Sequence, residues 1–424
     1  MRIDMVSEHA SPLAALDGTD TSGQNVHVAE LARALAARGH GVVVHTRRTS
    51  ADLPGEVELC SGACVRHVDA GPPEPLGRDD LPQHTDAFAE NLARAWAQDP
   101  PDLAHAHYWM SGRAALRAAA AADVPLVQTF HALLALKRIR DGAPDTDPPG
   151  RGRVETTVAR RADLVIATST QEQRVLRERG VAPDRVAVVP SGIDLERFRP
   201  EGPTGPRGEA PRVLCLGRLV RRKGVDTVVR AMAGVPEAEL VVAGGPGPGG
   251  GEGDGEAGRL RAVAEEAGVA DRVRFLGPVA REDVPSHYRA ADLVVNMPVF
   301  EPFGITTLEA MGCGAPVIAS AVGGHLDTVV NDVTGRLLPP ARPRALAFRM
   351  RRLLADPVTR EGYGFAAADR VAARYGWQTV AARTERCYER VLRARGREPD
   401  PVPERTGALA GARPHGEAPH TASR

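Results

Sequence analysis

Short apolar segments alternate with segments of helical periodicity along most of the chain. Apolar runs of this length, bounded by polar and turn-forming residues, are typical of buried strands, and their alternation with helices predicts parallel sheets. The first half of the chain carries seven predicted strands: Ile3–Glu8, Val42–Thr46, Val65–Asp69, Leu103–His107, Leu126–His131, Leu164–Ser169 and Val186–Pro190. It also carries four predicted helices: Gly23–Arg38, Gln83–Gln98, Ser111–Ala122 and Thr170–Gly180.

A second series of the same kind follows residues 197–211, which hold four prolines, three glycines and few apolar side chains. That composition predicts a linker. The whole pattern therefore predicts an α/β protein of two doubly wound, Rossmann-like domains, residues 1–196 and 212–375, which face a cleft at the carboxyl ends of both sheets. The strands predicted for the second domain are Val213–Gly217, Leu240–Gly244, Val273–Gly277, Leu293–Asn296, Val317–Ser320 and Arg336–Leu338.

The C-terminal part of the chain is predicted to be helical from 357 to 394, with a break at Tyr375-Gly376-Trp377. Residues 395–424 are rich in Pro, Gly, Arg and Glu and have little apolar surface to bury, so we expect them to be disordered. Residues 245–250 match G-x-G-x-x-G after a strand, but two prolines remove backbone donors that a phosphate would need. We interpret this segment as a loop.

Two acidic residues, Glu301 and Glu309, lie eight positions apart in the segment 300–324. Pro302 and Gly304 between them predict that a helix begins near Gly304. At roughly 1.5 Å per residue, Glu309 would lie about 7 Å along that helix, whose free N–H groups favour a phosphate. An elongated ligand with a charged centre, such as a nucleotide-sugar, fits this arrangement. The alternative is a surface helix with two solvated acids.

The residues after this helix favour the ligand-binding interpretation. Ala315 to Ser320 are typical of a buried strand, and Val322-Gly323-Gly324 of a tight turn. Strand, glycine turn and helix then meet at the edge of an α/β sheet where ligands bind.

Two cations, Arg218 and Lys223, follow the first predicted strand of the second domain, and Gly224 opens a helix there. They could neutralise a leaving diphosphate, and losing one such preorganised contact costs on the order of 10² to 10³ in rate. An exposed helix terminus contributes only roughly 0.3 to 1 kcal/mol. The alternative is a solvated basic patch shared with Arg221 and Arg222.

The first predicted helix begins at Gly23, after a loop from Ala10 to Ser22. A glycine at this position permits the backbone to approach a phosphate closely. Asn25, in the first turn of the helix, is expected to face the cleft.

Composition excludes several classes of function. Lys plus Arg and Asp plus Glu are both 54, so no electrostatic footprint points to nucleic acid as a partner. No run of 18 apolar residues exists, so no membrane span is expected, and acidic residues interrupt the start of the chain, unlike a secretory signal. Five scattered cysteines are no disulfide framework and favour a cytoplasmic location. His105-x-His107 lacks nearby carboxylates, so we expect neither a metal site nor a cofactor there.

The chain resembles the retaining GT-B glycosyltransferases of family 4 from about residue 1 to 394. Within that family it looks most like the sucrose-phosphate-synthase-like branch, which includes the N-acetylglucosaminyltransferases that act on inositol phosphate in mycothiol synthesis. The segments that carry the resemblance, besides Glu301 and Glu309, are Gly23-Gln24-Asn25-Val26, His107 to Gly112, Val189 to Asp194, Gly217 to Val220, and Lys223-Gly224.

The resemblance implies the transfer of a hexosyl group from a nucleotide-sugar, UDP-linked by branch, with retention and without a divalent metal. It places His131 beside the donor sugar near the anomeric carbon, Glu301 on the sugar hydroxyls and Glu309 on the ribose. The donor-binding residues it implies are Gly23, Asn25, Arg218, Lys223, Phe303, Gly304, Ile305, Thr306 and Glu309, with Arg218, Lys223, Glu301 and His131 catalytic.

The acceptor implied by the resemblance is a small or lipid-linked hydroxyl compound. An anionic acceptor would contact Arg78 and Tyr108, together with Arg151 or Arg153, of which Arg153 is our assignment. Ala132 stands where the mycothiol enzymes have a phosphate-binding threonine.

Three other functions remain open on the same fold. An epimerase would need acid and base groups around the second carbon of the sugar. A phosphorylase would need a pyridoxal-binding lysine in the second domain, for which no motif is visible. A non-catalytic nucleotide-sugar-binding module is disfavoured because both cations and both acids are present.

Overall fold

The computed structural model describes residues 1–16, 23–77, 79–136, 148–245 and 255–397. An eight-stranded sheet forms the N-terminal domain, with strand order β3-β4-β2-β1-β5-β6-β7-β8. Every neighbouring pair is parallel except β3 with β4, which is antiparallel. Its strands are β1 Arg2–Val6, β2 Gly41–Arg47, β3 Glu56–Cys60, β4 Ala63–Val68, β5 Leu103–His107, β6 Leu126–Thr129, β7 Leu164–Ala167 and β8 Val186–Val188.

A second, fully parallel sheet of six strands follows, in the order β11-β10-β9-β12-β13-β14. The prediction of two doubly wound α/β domains is thus confirmed. In each sheet the strand order reverses beside its first strand, which opens a crevice at the carboxyl ends there. The strands are β9 Arg212–Leu216, β10 Glu239–Ala243, β11 Val273–Gly277, β12 Leu293–Asn296, β13 Val317–Ser320 and β14 Arg336–Leu338.

Helices cover both faces of each sheet, as strands that are buried on both sides require. In the N-terminal domain they are α1 Pro12–Leu16, α2 Gly23–Ala37, α3 Thr85–Gln98, α4 Trp109–Ala122, α5 Arg151–Arg161 and α6 Thr170–Glu178. The remaining helices are α7 Val225–Ala231, α8 Gly255–Glu266, α9 Val284–Arg289, α10 Ile305–Gly312, α11 His325–Thr328, α12 Pro343–Leu354, α13 Pro357–Arg374 and α14 Trp377–Ala394.

The last helix, α14, returns to the N-terminal domain. Its apolar face, with Trp377, Val380 and Tyr388, is buried in one core with strands β1 and β2. The Tyr388 hydroxyl lies 2.7 Å from Nδ1 of His105 on β5. The N-terminal domain is therefore discontinuous in sequence.

The described part of the predicted linker contains neither a helix nor a strand and packs on the C-terminal domain. The Arg289 guanidinium donates to the carbonyls of Arg199 and Pro203, at 3.0 and 2.8 Å. Among the described residues, no helix combines the length and the apolar character needed to cross a bilayer. The predicted disordered tail lies outside the described residues from 398 onward.

Candidate active site

The loop that carries Glu301 is held in place by two glycines of the Val322-Gly323-Gly324 turn. Gly323 has φ +51°, and a Cβ atom there would lie 1.9 Å from the Glu301 carbonyl oxygen, so only glycine fits. The Gly324 amide donates to the same oxygen at 2.8 Å. Helix α10 begins at Ile305 after Gly304, whose φ of +74° ends the loop, as the sequence predicted.

Lys223 and Glu301 form an ion pair in the crevice beside β9 of the C-terminal domain, with Nζ 2.5 Å from Oε2. Burial alone would raise the pKa of Glu301, but the charge and hydrogen bond of Lys223, together with the other basic side chains nearby, hold that pKa below its ordinary value. The turn after Lys223 is tight, because a Cβ atom on Gly224 would lie 2.0 Å from the Met297 carbonyl oxygen. Glu301 is therefore a preorganised, ionised carboxylate.

This ion pair lines a cavity at the carboxyl ends of β9 and β12. Arg218, Asn296 and Thr306 also line it. The structure thus brings together Arg218, Lys223, Glu301 and Thr306, four residues that the sequence assigned to the donor site. Two cations and one carboxylate around such a cavity suit a ligand with both phosphate and hydroxyl groups.

Glu309 lies deeper, on α10, and is almost fully buried. Its Oε1 atom is 2.6 Å from the guanidinium of Arg281. Burial raises the pKa of Glu309, and Arg281 only partly opposes this. The carboxylate that was assigned to the ribose therefore already has a charged partner, which the sequence did not predict.

A series of hydrogen bonds connects α10 to strands β12 and β13. The Asn296 side-chain amide donates to Thr307 Oγ1 at 3.0 Å, and that hydroxyl lies 2.9 Å from His325 Nε2. His325 Nδ1 lies 3.0 Å from the Ser320 carbonyl oxygen, which can only accept, so the proton is on Nδ1 and Nε2 accepts from Thr307. Burial lowers the pKa of His325, so the ring is neutral.

The N-terminal domain closes the opposite side of the cleft. A Cβ atom on Gly23 would lie 3.7 Å from Ile305 Cδ1, at the start of α10. The His131 ring lies 6.0 Å from the Phe303 ring. Asn25, which was expected to face the cleft, is buried, and its side-chain amide donates to the Ser11 carbonyl at 3.2 Å in the loop before α2.

His131 belongs to a group of buried histidines on this wall. Its Nε2 lies 3.0 Å from His107 Nδ1, and its ring lies edge-on to His27 at 4.9 Å. The fourth ring, His105, lies tilted beside His107, with the ring centroids 4.2 Å apart. Burial lowers the pKa of His27 to about 4 and of His105 to about 3, and lowers those of His107 and His131 well below the ordinary value.

On the predicted acceptor side, Arg151 rather than Arg153 packs beside Tyr108. The Arg151 guanidinium lies 5.1 Å from the centroid of the Tyr108 ring, donates to the Ala132 carbonyl and pairs with Glu155 at 2.7 Å. Arg153, the residue assigned here from the sequence, is exposed instead. Because α5 turns about 100° per residue, two positions along its axis point to different sides. Arg78 lies outside the described residues.

The two domains also contact each other beyond the cavity. Phe300 of the C-terminal domain packs in the N-terminal cluster that includes Tyr108 and Phe130. Asp327 on α11 accepts from both the amide and the hydroxyl of Thr170, each at 2.7 Å, at the start of α6. We call this pair of bonds the Asp327–Thr170 latch.

Several of these residues were missed because no local pattern marks them. Arg281 lies 28 positions before Glu309 in an ordinary polar loop, and Asp327 lies on a four-residue helix. His325 did have a signal, since it follows the glycine turn directly.

Comparison with known proteins identifies this arrangement. The family model Glycosyltransferase Family 4 matches residues 21–197, and the model Glycosyl transferases group 1 matches residues 200–370. Two facing Rossmann-like domains with this cleft define a GT-B glycosyltransferase. The chain belongs to glycosyltransferase family 4.

The chain is 38% identical to the D-inositol 3-phosphate glycosyltransferase of Kineococcus radiotolerans, covering 94% of this chain and 97% of that protein. It is 39% identical to the protein of the same name from Nocardiopsis dassonvillei, covering 89% and 91%. Among solved structures, sucrose-phosphate synthase from Thermosynechococcus elongatus aligns with a TM-score of 0.79 and 33% identity, covering 93% and 100%. HepE of Anabaena, in complex with UDP and glucose, shares the fold at 22% identity with a TM-score of 0.69, covering 92% and 100%.

Proposed function

We propose that this glycosyltransferase moves a hexosyl group from a nucleotide-sugar, with UDP the first choice, to a hydroxyl acceptor with retention of configuration. The observation that carries the proposal is the Lys223–Glu301 pair beside Arg218 in one cavity. These are the charges that a sugar diphosphate needs at its two ends. The relatives are named for D-inositol 3-phosphate, which supports a hydroxyl acceptor, and the UDP in the HepE complex supports UDP as the nucleotide.

The proposed reaction places the acceptor hydroxyl on the same face of the sugar as the leaving diphosphate. The acceptor oxygen forms a bond to the anomeric carbon as the bond to the diphosphate oxygen breaks, and the acceptor proton passes to a phosphate oxygen. Arg218 and Lys223 stabilise the charge that develops on the leaving group, and Glu301 holds the sugar hydroxyls. Neutral His131 lies at the cleft wall, where it can accept or donate one hydrogen bond.

We further propose that the reaction requires neither a metal nor a cofactor. The cations of the cavity supply the positive charge that a divalent ion would otherwise bring. The chain contains one Asp-x-Asp sequence, Asp145 to Asp147, which lies outside the described residues. Transfer that persists after treatment with a chelator would support metal independence, and transfer restored only by Mg²⁺ or Mn²⁺ would refute it.

For the acceptor, we propose a small phosphorylated polyol. Arg151 over the Tyr108 ring provides a cation at the expected place, although its charge is shared with Glu155. Ala132 offers no hydroxyl to a phosphate, in contrast to a threonine. An acceptor screen with inositol 3-phosphate, free inositol and a lipid-linked sugar tests this choice. Five free thiols are consistent with a reducing, cytoplasmic location, which is also a proposal.

The decisive experiment measures thermal stabilisation and slow hydrolysis for UDP-, GDP- and ADP-sugars without metal. A ligand at a hundred times its dissociation constant stabilises by about 2.7 kcal/mol, so one donor should stand out. One responsive donor that is also consumed supports a transferase. Stabilisation without turnover in the full acceptor screen would favour a binding module, and conversion of the donor to an isomeric sugar would favour an epimerase.

A further inference from the structure

Three buried histidines from three separate elements meet on the N-terminal wall of the cleft: His27 from α2, His107 from β5 and His131 after β6. Each offers one ring nitrogen, and these three atoms all lie within 4.8 Å of one another. His131 adopts φ +60°, which is costly for a residue with a Cβ atom. Strain of this kind persists where the surroundings fix a side chain in a particular direction.

The neighbouring His105 shows what a purely structural histidine looks like in this core. Both of its nitrogens have partners, the Tyr388 hydroxyl and the Thr129 hydroxyl, at 2.7 and 2.9 Å. By contrast, His107 Nε2 and His131 Nδ1 are buried and find no hydrogen-bond partner among the described residues. Buried polar atoms are normally satisfied, whereas here the only hydrogen-bonding contact between these two rings is His107 Nδ1 with His131 Nε2 at 3.0 Å, in the part of the chain that the structure describes.

A metal ion is the ligand that this donor set suits. Three imidazoles without a thiolate or a carboxylate in the group favour a late divalent transition metal, as in catalytic zinc sites with three histidines. Around tetrahedral zinc, with bonds of about 2.0 to 2.1 Å, ligand nitrogens lie about 3.4 Å apart, so rotations that move the rings by about 1 Å suffice. His27 Nδ1 also lies 3.1 Å from Ser191 Oγ, which would orient its ring as outer-shell partners do.

We propose that His27, His107 and His131 bind one divalent transition-metal ion of the Zn²⁺ class on the wall of the cleft. The ion would bind the His131 ring, whose centroid lies 6.0 Å from that of the Phe303 ring. On the proposed function, this is where the donor sugar lies, so the ion inhibits transfer by competing with the donor. The site therefore makes the enzyme sensitive to free zinc without making zinc a cofactor.

The test uses the full-length protein, stripped of metal with a chelator and titrated with Co²⁺ as a spectroscopic probe. We expect one Co²⁺ per chain with visible d–d absorption typical of low coordination number. His27→Asn keeps a side-chain amide within reach of Ser191 but removes the ring, and it should weaken Co²⁺ binding at least tenfold. His131→Asn should do the same, whereas His287→Asn, on α9 of the other domain, should leave Co²⁺ binding unchanged.

Circular dichroism and melting temperature of the metal-free variants separate loss of the site from loss of the fold. Co²⁺ binding that is absent in the wild type, or equal in the wild type and both folded cleft variants, overturns the proposal. Zn²⁺ should inhibit transfer in competition with the donor. Weaker inhibition of His27→Asn than of the wild type, each measured relative to its own rate without zinc, supports the inhibitory role. Co²⁺ binding that depends on the three histidines in a protein that transfers no sugar would refute the proposed function and keep the metal site.

Discussion

At the scale of single residues, burial and nearby positive charge have opposite effects on the pKa of Glu301, and their balance determines the charge of this carboxyl group in the cavity. A buried carboxylate would tend to take up a proton, but Lys223 at 2.5 Å keeps this one ionised. The local sequence identified both residues because Lys223-Gly224 and Pro302 to Gly304 are turn signals next to a charge. It could not identify Arg281, whose partner Glu309 is distant in the chain.

Lys223→Met tests the role of this cation. Transfer should fall on the order of 10² to 10³, because a preorganised charge at the leaving group is lost. The matched control is Arg221→Met, which removes an exposed cation two positions away and should change the rate little. Steady-state kinetics with the responsive donor measure both. Equal losses in the two variants would mean that overall basic charge, rather than this position, matters.

Glu172 on α6 gives a prediction on pH. It is buried, and Thr168 donates to its Oε2 from both the amide and the hydroxyl, yet burial still raises its pKa. The folded state holds this proton more tightly than the unfolded state does. The wild type therefore loses stability as the pH rises from the pKa of Glu172 in the unfolded chain to its higher pKa in the folded protein. Glu172→Gln carries no such proton, so it should gain about 1 kcal/mol over the wild type at pH 8 and little at pH 4.

Melting temperatures across this pH range check the prediction for Glu172. Glu178→Gln, on the exposed end of the same helix, is the control and should show no pH-dependent gain. A gain at pH 8 in both variants would point to the net charge of the protein instead.

At the scale of elements, the junction between loop and helix at 300–324 was predictable because its signals are local. Pro302 and Gly304 fix where α10 begins, and the two glycines of the later turn are contiguous in sequence. Strand β3, in contrast, was not predicted, because Glu56 and Glu58 interrupt its apolar residues at an exposed edge of the sheet. The sequence could not predict which of Arg151 and Arg153 packs on Tyr108 for a related reason, since the direction of a side chain on α5 depends on where that helix begins.

Gly323→Ala tests whether the glycine turn positions Glu301. The added Cβ atom would meet the Glu301 carbonyl oxygen at 1.9 Å, so the loop must shift and transfer should fall at least tenfold. Gly268→Ala is matched in backbone strain, with φ +65°, but has nothing within 4 Å of the added atom. It should cost only about 1 kcal/mol in stability. Similar kinetics for the two variants would argue against the steric explanation.

At the scale of the whole molecule, the two domains stand in contact through the Asp327–Thr170 latch and through Phe300. The sequence predicted the cleft, because parallel sheets present their carboxyl ends to ligands, but not how far it closes. Closure depends on pairs such as Asp327 with Thr170, which come from different domains and follow no periodicity.

Asp327→Ala should favour an open arrangement of the domains. Two hydrogen bonds of about 1 kcal/mol each would be lost, so the KM for the donor should rise by roughly five- to thirtyfold. Small-angle X-ray scattering should show a larger radius of gyration. Asp271→Asn removes the same charge from the exposed surface of the C-terminal domain and is the control. An unchanged KM and radius would mean that the latch contributes nothing to closure.

The return of α14 to the N-terminal domain also has a consequence for biosynthesis. A ribosome makes the chain from its first residue, so the C-terminal domain, which is continuous, is complete before α14 has been made. Until then Trp377, Val380 and Tyr388 are missing from the core they share with β1 and β2. The domain that is synthesised first is therefore the last to finish folding, and its uncovered apolar surface is what a chaperone would meet on the nascent chain.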